Sequence, residues 1–145
     1  MDVRTCLALV LATAASCTPT VYVHPTNPSE GASKGEADLV AEAGNRIGVR
    51  ARLSDSPAGA ISVTWVDPEA GKCGRVLEKG TCAPRVESCN SAAYLAHEIG
   101  HTFGLGHVDE AGNLMEPAPR VGAQLNQRQK LQVNAAATAM ENLCR

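Results

Sequence analysis

Apolar and polar residues alternate over several short stretches of the chain, and a period of two is the pattern of a β-strand with one buried face. The clearest alternation runs over residues 61–66. Four further stretches are strand candidates: 21–23, 49–53, 75–77 and 85–87. Turn-forming residues separate most of these stretches, so the pattern predicts a small sheet built from short strands.

A different spacing, with apolar residues three and four positions apart, predicts helices. In the first such stretch, Ser33 and Glu36 fit a capping box, the apolar positions fall within 37–47, and Gly48 ends the pattern. Asn90 or a neighbouring serine is placed to cap a second helix. A third helix, only modestly amphipathic, is predicted after the capped start that Asn126 and Gln129 form.

The amino terminus carries an apolar stretch of about ten residues, whereas a membrane-spanning helix needs roughly 20. We therefore expect residues 1–16 to be a signal peptide. The Ala-Ala-Ser sequence before Cys17 resembles a bacterial lipobox, so we expect Cys17 to carry lipid and to anchor an exported protein at the cell envelope. Ordinary secretion after cleavage and an uncleaved segment remain alternatives. Residues 17–33 would form a tether with one short strand, and residues 34–145 the folded domain.

Composition narrows the class of protein further. Hydrophobic residues make up 44% and charged residues 19% of the 145, as in an ordinary globular chain of one domain. The net charge of -2 argues against a nucleic-acid partner, which would require an excess of basic residues. Aromatic residues are only 3%, so the core must consist of smaller side chains that each bury less surface. We expect a monomer whose small core is supported by covalent links.

Four cysteines beyond the amino-terminal region could provide those links: Cys73, Cys82, Cys89 and Cys144. An even number in an exported domain predicts two disulfides, for which four cysteines allow three pairings. Spacing favours one bond between Cys73 and Cys82 and another between Cys89 and Cys144. A structural zinc site is the competing interpretation, but the sequence has no C-x-x-C pair.

The most specific pattern in the chain is H-E-x-x-H-x-x-G-x-x-H, which begins at His97. Residues four apart on a helix lie about 5 to 6 Å apart on one face, so His97 and His101 could bind the same metal ion. Glu98 would flank the ion and could take a proton from a bound water without being a ligand. Gly104 can adopt the left-handed conformation that ends helices, and the chain would return to bring His107 in as third ligand.

Met115 follows this motif in the sequence Asn-Leu-Met-Glu-Pro, and the two features together resemble the metzincin clan of zinc endopeptidases. The Met-x-Pro pattern is most similar to the matrixins, in a small, exported, bacterial form. The resemblance implies an α+β fold with a small twisted mixed sheet, an active-site helix, a Met-turn and a carboxy-terminal helix. Some subfamilies carry a tyrosine ligand where this chain has Pro117, so no tyrosine ligand is expected.

The resemblance implies one catalytic zinc ion held by His97, His101 and His107. Only His24 lies outside the motif, so the second, structural zinc of matrixins lacks its histidines, and calcium is not indicated. Zinc would lower the pKa of its water to about 7, and Glu98 would act as general base in the hydrolysis of a peptide bond. The alternative is a non-catalytic, zinc-binding surface lipoprotein that binds peptides or a partner protein.

The substrate site is implied only by the resemblance. A peptide or protein substrate would lie extended and antiparallel to an edge strand within 73–87. Residues 117–122 would form a wall of the pocket for the side chain after the cleaved bond. Tyr94 could border the cleft, although plain packing is favoured for it. Broad and single-target proteases would use the same residues, and the membrane would be contacted only through the lipid anchor.

Overall fold

Five strands form one mixed sheet, and three helices complete the fold within the residues that the computed structural model describes, 18–27, 33–68 and 72–144. Helices α1 and α2 pack against each other, α1 contacts strand β2, and α2 contacts strands β4 and β5. In chain order the elements are β1 (Thr20–Pro25), α1 (Ser33–Ile47), β2 (Arg50–Leu53), β3 (Ile61–Trp65), β4 (Gly74–Glu78), β5 (Arg85–Ser88), α2 (Ala92–Thr102) and α3 (Gln127–Leu143). The mixed α and β class that the sequence predicted is confirmed.

The sheet has the strand order β2-β1-β3-β5-β4. Strand β1 pairs in parallel with β2 and with β3, and β3 pairs in parallel with β5. Strand β4 pairs with β5 in the antiparallel direction. Strand β4 is therefore the last strand on its side of the sheet and has only one neighbour. Its other edge keeps backbone N–H and C=O groups that could pair with an added strand.

The core forms where the sheet meets α1 and α2. Alternate residues of the strands are buried, as the period of two requires, and Val23 and Val63 are fully enclosed. From the helices, Val40 and Ile99 fill the same cluster. The carboxylate of Glu36 links α1 to β3, because its Oε1 accepts a hydrogen bond from Trp65 Nε1 at 2.6 Å.

Strand β1 corrects the predicted boundary of the folded domain. The stretch 17–33 was expected to be a tether with one short strand, but Thr20–Pro25 lies inside the sheet between β2 and β3. Val21 and Val23 are buried in the core. The folded unit therefore includes residues well before position 34.

The disulfides form, but the predicted pairing was wrong. Cys73 bonds to Cys89, and Cys82 bonds to Cys144. The reason is the β4–β5 register, in which Gly74 lies opposite Ser88, so the residues one step further out face each other. The Cys89 N–H donates to the Cys73 carbonyl at 2.8 Å. Cys82, in the turn between the strands, is left to meet the end of α3.

No helix in the described part of the chain has both the length and the apolar character needed to cross a bilayer. The predicted signal peptide, 1–16, and the predicted lipid-bearing Cys17 lie outside the described residues.

Candidate metal centre

Helix α2 carries the first two histidines of the motif and is almost entirely enclosed. Ser91 is its N-cap residue, one position after Asn90. Leu95 and Ile99 are fully buried, which holds the helix against the sheet and against α1. His97 and Glu98 are only 3% and 5% exposed, so both polar groups lie on a helix face that water barely reaches.

Three imidazoles converge at the carboxy-terminal half of α2. The Nε2 atom of His97 lies 3.0 Å from Nε2 of His101 and 3.3 Å from Nε2 of His107. Among the described residues, these three form the one group of histidine, cysteine and acidic side chains placed to share a metal ion. His24 takes no part, since its Nδ1 lies 2.9 Å from the Ser54 carbonyl oxygen.

Backbone carbonyls orient two of these rings. His97 Nδ1 lies 2.7 Å from the Leu114 carbonyl oxygen, and His101 Nδ1 lies 2.7 Å from that of Leu105. A carbonyl oxygen only accepts, so each Nδ1 must carry the proton and each neutral ring presents an unprotonated Nε2. Two such nitrogens cannot hydrogen-bond to each other. Their approach fits rings that are arranged around a shared cation, with the carbonyls as outer partners.

The pKa shifts keep the two helical imidazoles neutral. Burial lowers the pKa of His97 to about 4, even though the bond to the Leu114 carbonyl opposes that shift. Burial also lowers the pKa of His101. Neutral imidazole is the form that binds metals, so at neutral pH these two residues need not lose a proton before an ion enters.

A glycine turn returns the chain to the site after α2. Gly104 has φ 93, and its N–H donates to the His101 carbonyl at 3.0 Å. The Leu105 N–H donates to the Gly100 carbonyl at 3.0 Å, so the last carbonyls of the helix are paired. The chain then continues through Gly106 to His107, whose Nε2 lies 3.3 Å from that of His97.

Met115 is fully buried and packs against helix α2. A methyl group placed on Gly100 would lie 2.8 Å from the Met115 sulfur, so the turn and the helix are in direct contact. The preceding residue, Leu114, supplies the carbonyl that orients His97. The turn that contains Met115 therefore supports both the helix and one of its ligands.

Asn113 is a site residue that the sequence analysis missed. It is 3% exposed, and its Oδ1 accepts a hydrogen bond from the Met115 N–H at 2.9 Å. Its Nδ2 donates to Gln129 Oε1 at 2.8 Å, and the same oxygen accepts from the Asn126 N–H in the capping box of α3. The position of Asn113 two residues before Met115, where asparagine commonly bonds to the backbone, was the available signal.

Replacing Gly100 with alanine is expected to lower the free energy of unfolding by about 1 to 3 kcal/mol, because a new methyl cannot fit against Met115. Moving the Met115 turn also moves the carbonyl that orients His97, so metal affinity should fall. Denaturant unfolding and metal titration measure the two effects. The control is Gly35→Ala in α1, where an added methyl meets nothing within 4 Å. Equal effects at both positions would contradict the proposed contact.

Glu98 lies beside the imidazoles, in contact with the first residue of β4. A methyl on Gly74 would come within 2.9 Å of Glu98 Oε1, so the strand can pass this close only because residue 74 is a glycine. Burial raises the pKa of the Glu98 carboxyl to about 7. A carboxyl group with a pKa near neutrality is well matched to accepting and returning a proton.

The raised pKa of Glu98 predicts a pH effect on the metal-free protein. Between pH 4.5 and about 7 the native state keeps a proton that the unfolded state loses, so the free energy of unfolding falls as pH rises. We expect Glu98→Gln to remove this fall in the free energy of unfolding, so that the variant is about 3 kcal/mol more stable than the parent at pH 8. The difference in stability between the two proteins should close below pH 4.5. Urea unfolding with a chelator, repeated across pH, measures the gap. A gap independent of pH would contradict the assignment.

A groove of about 530 Å³ opens over these groups. Strand β4 forms one side of it, and the three histidines, Glu98 and Pro117 are also exposed to it. Tyr94 lines the groove as well, so the preference for plain packing at this residue was wrong. Of the predicted pocket wall at 117–122, only Pro117 lines this groove.

Comparisons with known proteins give the fold. No family model matches the chain, and no curated protein matches it. The crystal structure of metalloproteinase-II from Bacteroides fragilis is similar, with a TM-score of 0.60 and 15% sequence identity. The match covers 86% of this chain and 55% of that one, so the chain spans about half the length of that protein. The chain therefore has a fold similar to that of a bacterial metalloproteinase.

Proposed function

We propose that this chain is a zinc-dependent endopeptidase of the metzincin clan, most similar to the matrixins. One observation carries the proposal: three imidazole Nε2 atoms converge next to a buried carboxyl group, inside a groove bounded by an edge strand. The fold similarity to a bacterial metalloproteinase agrees with it. Met115 buried against α2 and Pro117 in the groove support the matrixin-like assignment.

The donor set fits zinc. Zinc–nitrogen bonds of about 2.0 to 2.1 Å in a tetrahedral arrangement put two ligand nitrogens about 3.3 Å apart. The Nε2–Nε2 separations of 3.0 and 3.3 Å are close to that value. Three protein ligands leave one position open, which is typical of catalytic zinc. Zinc bound there would supply a Lewis acid for the peptide carbonyl and would lower the pKa of a water molecule to about 7.

Glu98 is the proposed general base and general acid. Its carboxyl group lines the same groove as the three histidines but is not one of the three converging ligands. It would take a proton from the attacking water and return it to the departing amine. Neither a free hydroxide ion nor an amide anion would then have to form.

The substrate is proposed to be an extended peptide that adds to the free edge of β4. That strand lines the groove along its whole length, from Gly74 to Glu78, and has no partner on that side among the described residues. Main-chain hydrogen bonds to an edge strand bind a peptide without regard to its sequence. Added antiparallel to β4, the peptide would present its carbonyl groups to the metal centre.

The experiment that tests the function is cleavage of a quenched peptide pool by the full chain with its disulfides oxidised. We expect cleavage that a chelator abolishes and that one equivalent of zinc restores, with metal analysis giving one zinc per chain. The alternative, a non-catalytic zinc-binding lipoprotein, would bind zinc equally well and cut nothing. Zinc bound without any cleavage of the pool or of folded test proteins would reject a broad peptidase and would favour a single-target enzyme or the binding role.

Export is part of the proposal, resting on the amino-terminal sequence. Residues 1–16 would direct export, and Cys17 would carry lipid at the cell envelope. Mass spectrometry of the protein recovered from a bacterial membrane fraction tests this, with Cys17→Ser as the matched variant. A chain recovered with residues 1–16 intact would contradict both the lipoprotein and the ordinary secreted forms.

A further inference from the structure

A second groove, here called the lateral groove, lies beside the metal centre and is mostly apolar. It has a volume of about 530 Å³ and is formed by the β4–β5 turn, the end of α2 and the last turns of α3. Its lining includes Lys79, Phe103, Ala136, Ala139, Met140 and Leu143. We propose that the lateral groove is an extended subsite that binds apolar side chains on the amino-terminal side of the bond that is cut.

The lateral groove has the features of a surface that binds an apolar ligand. Leu143 is 79% exposed at its edge, and an exposed leucine within an apolar groove leaves unfavourable surface in water. The disulfide between Cys82 and Cys144 joins the β4–β5 turn to the end of α3, so two sides of the groove are covalently held together. Little ordering would be needed before a ligand binds, which favours affinity.

The lateral groove adjoins the groove over the metal centre. Lys79 lines both grooves, and the residues after His101, from Thr102 to Gly104, belong to the lateral one. A polypeptide that leaves the metal centre past Lys79 therefore reaches the lateral groove next. This adjacency is the reason to expect the substrate itself, rather than an unrelated partner, in the lateral groove.

The direction of β4 decides which part of the substrate would reach it. Strand β4 runs from Gly74, which contacts Glu98, to Glu78, next to Lys79. A peptide antiparallel to β4 runs the opposite way, so the residues before the cut bond pass Glu78 and Lys79. Strand β4 has five residues and Lys79 follows it directly, so a peptide paired along β4 needs only a similar number of residues to reach Lys79. This step rests on the proposed peptidase function.

The test uses the full chain and two fluorogenic peptides that share one core sequence from the pool. One peptide is extended at its amino terminus by four residues containing two leucines, and the other by four residues containing two serines. Ala139→Trp fills the lateral groove from α3. Ala135→Trp is the matched control, since Ala135 is also exposed on α3 and does not line the groove.

We expect the parent to cleave the leucine peptide about tenfold more efficiently than the serine peptide, and Ala139→Trp alone to remove that preference. Binding of both peptides to the Glu98→Gln variant, by fluorescence anisotropy, gives a readout that needs no turnover. Cleavage without a leucine preference would overturn the subsite and leave the peptidase proposal standing. A leucine preference in binding without any cleavage would overturn the peptidase proposal instead. A parent dimer that Ala139→Trp dissociates would make the groove an interface between copies and would overturn the subsite.

Discussion

Replacing Glu98 with glutamine is expected to lower kcat for peptide cleavage by roughly 10² to 10⁴-fold, the range for a positioned general base. Glutamine has nearly the same shape but cannot accept the proton, so the loss should fall on kcat while KM changes little. Zinc affinity should remain, because the side chain is not among the three converging nitrogens. Steady-state kinetics and zinc titration of the purified variant measure these quantities.

A control separates proton transfer from general damage to the site. Glu87→Gln removes a carboxylate from neighbouring strand β5, where Glu87 pairs with Arg75 at 2.7 Å and is not part of the groove lining. That variant should retain cleavage, since exposed ion pairs contribute little to stability. If Glu98→Gln kept most of its activity, or lost its zinc, the role assigned to Glu98 would be wrong.

The metal centre could be predicted from the sequence as far as it depends on local geometry. Helical spacing alone brings His97 and His101 to one face, and a glycine at 104 is enough to predict the turn that returns His107. The orientation of the rings could not be predicted. It depends on the backbone carbonyls of Leu114 and Leu105, which every residue type possesses and which only the folded chain brings to these positions.

The errors in the predicted fold share one cause, which is pairing between distant residues. Strand β1 has only two buried valines and is flanked by prolines, so its sequence is that of a tether with a brief strand. Its place in the sheet comes from hydrogen bonding to β2 and β3, which are far along the chain. Spacing likewise favoured a local bond for Cys73, whereas the register of β4 against β5 set its true partner.

The two disulfides are expected to differ in what they support. Removing the disulfide that closes the longer loop should cost more stability. Cys82 and Cys144 are 62 residues apart in sequence, and Cys73 and Cys89 are 16 apart. A bond that closes a longer loop restricts the unfolded chain more, so replacing both cysteines with serine should cost about 4 kcal/mol for the first pair and about 3 kcal/mol for the second. Urea unfolding of the two double variants measures the difference.

Catalysis should depend on the pair that matters less for stability. The Cys73–Cys89 bond holds the start of β4 where Gly74 contacts Glu98, and Cys89 lies just before the first turn of α2. Small displacements of a catalytic group can cost up to about 10²-fold in rate, so this variant should lose at least about tenfold in kcat/KM on the short core peptide. The Cys82–Cys144 variant should stay within about twofold on that peptide, because its bond supports the lateral groove rather than Glu98. If the variant that loses more stability also lost more activity, the two disulfides would act only on the fold. Their positions instead predict that the Cys73–Cys89 variant loses less stability and more activity than the Cys82–Cys144 variant.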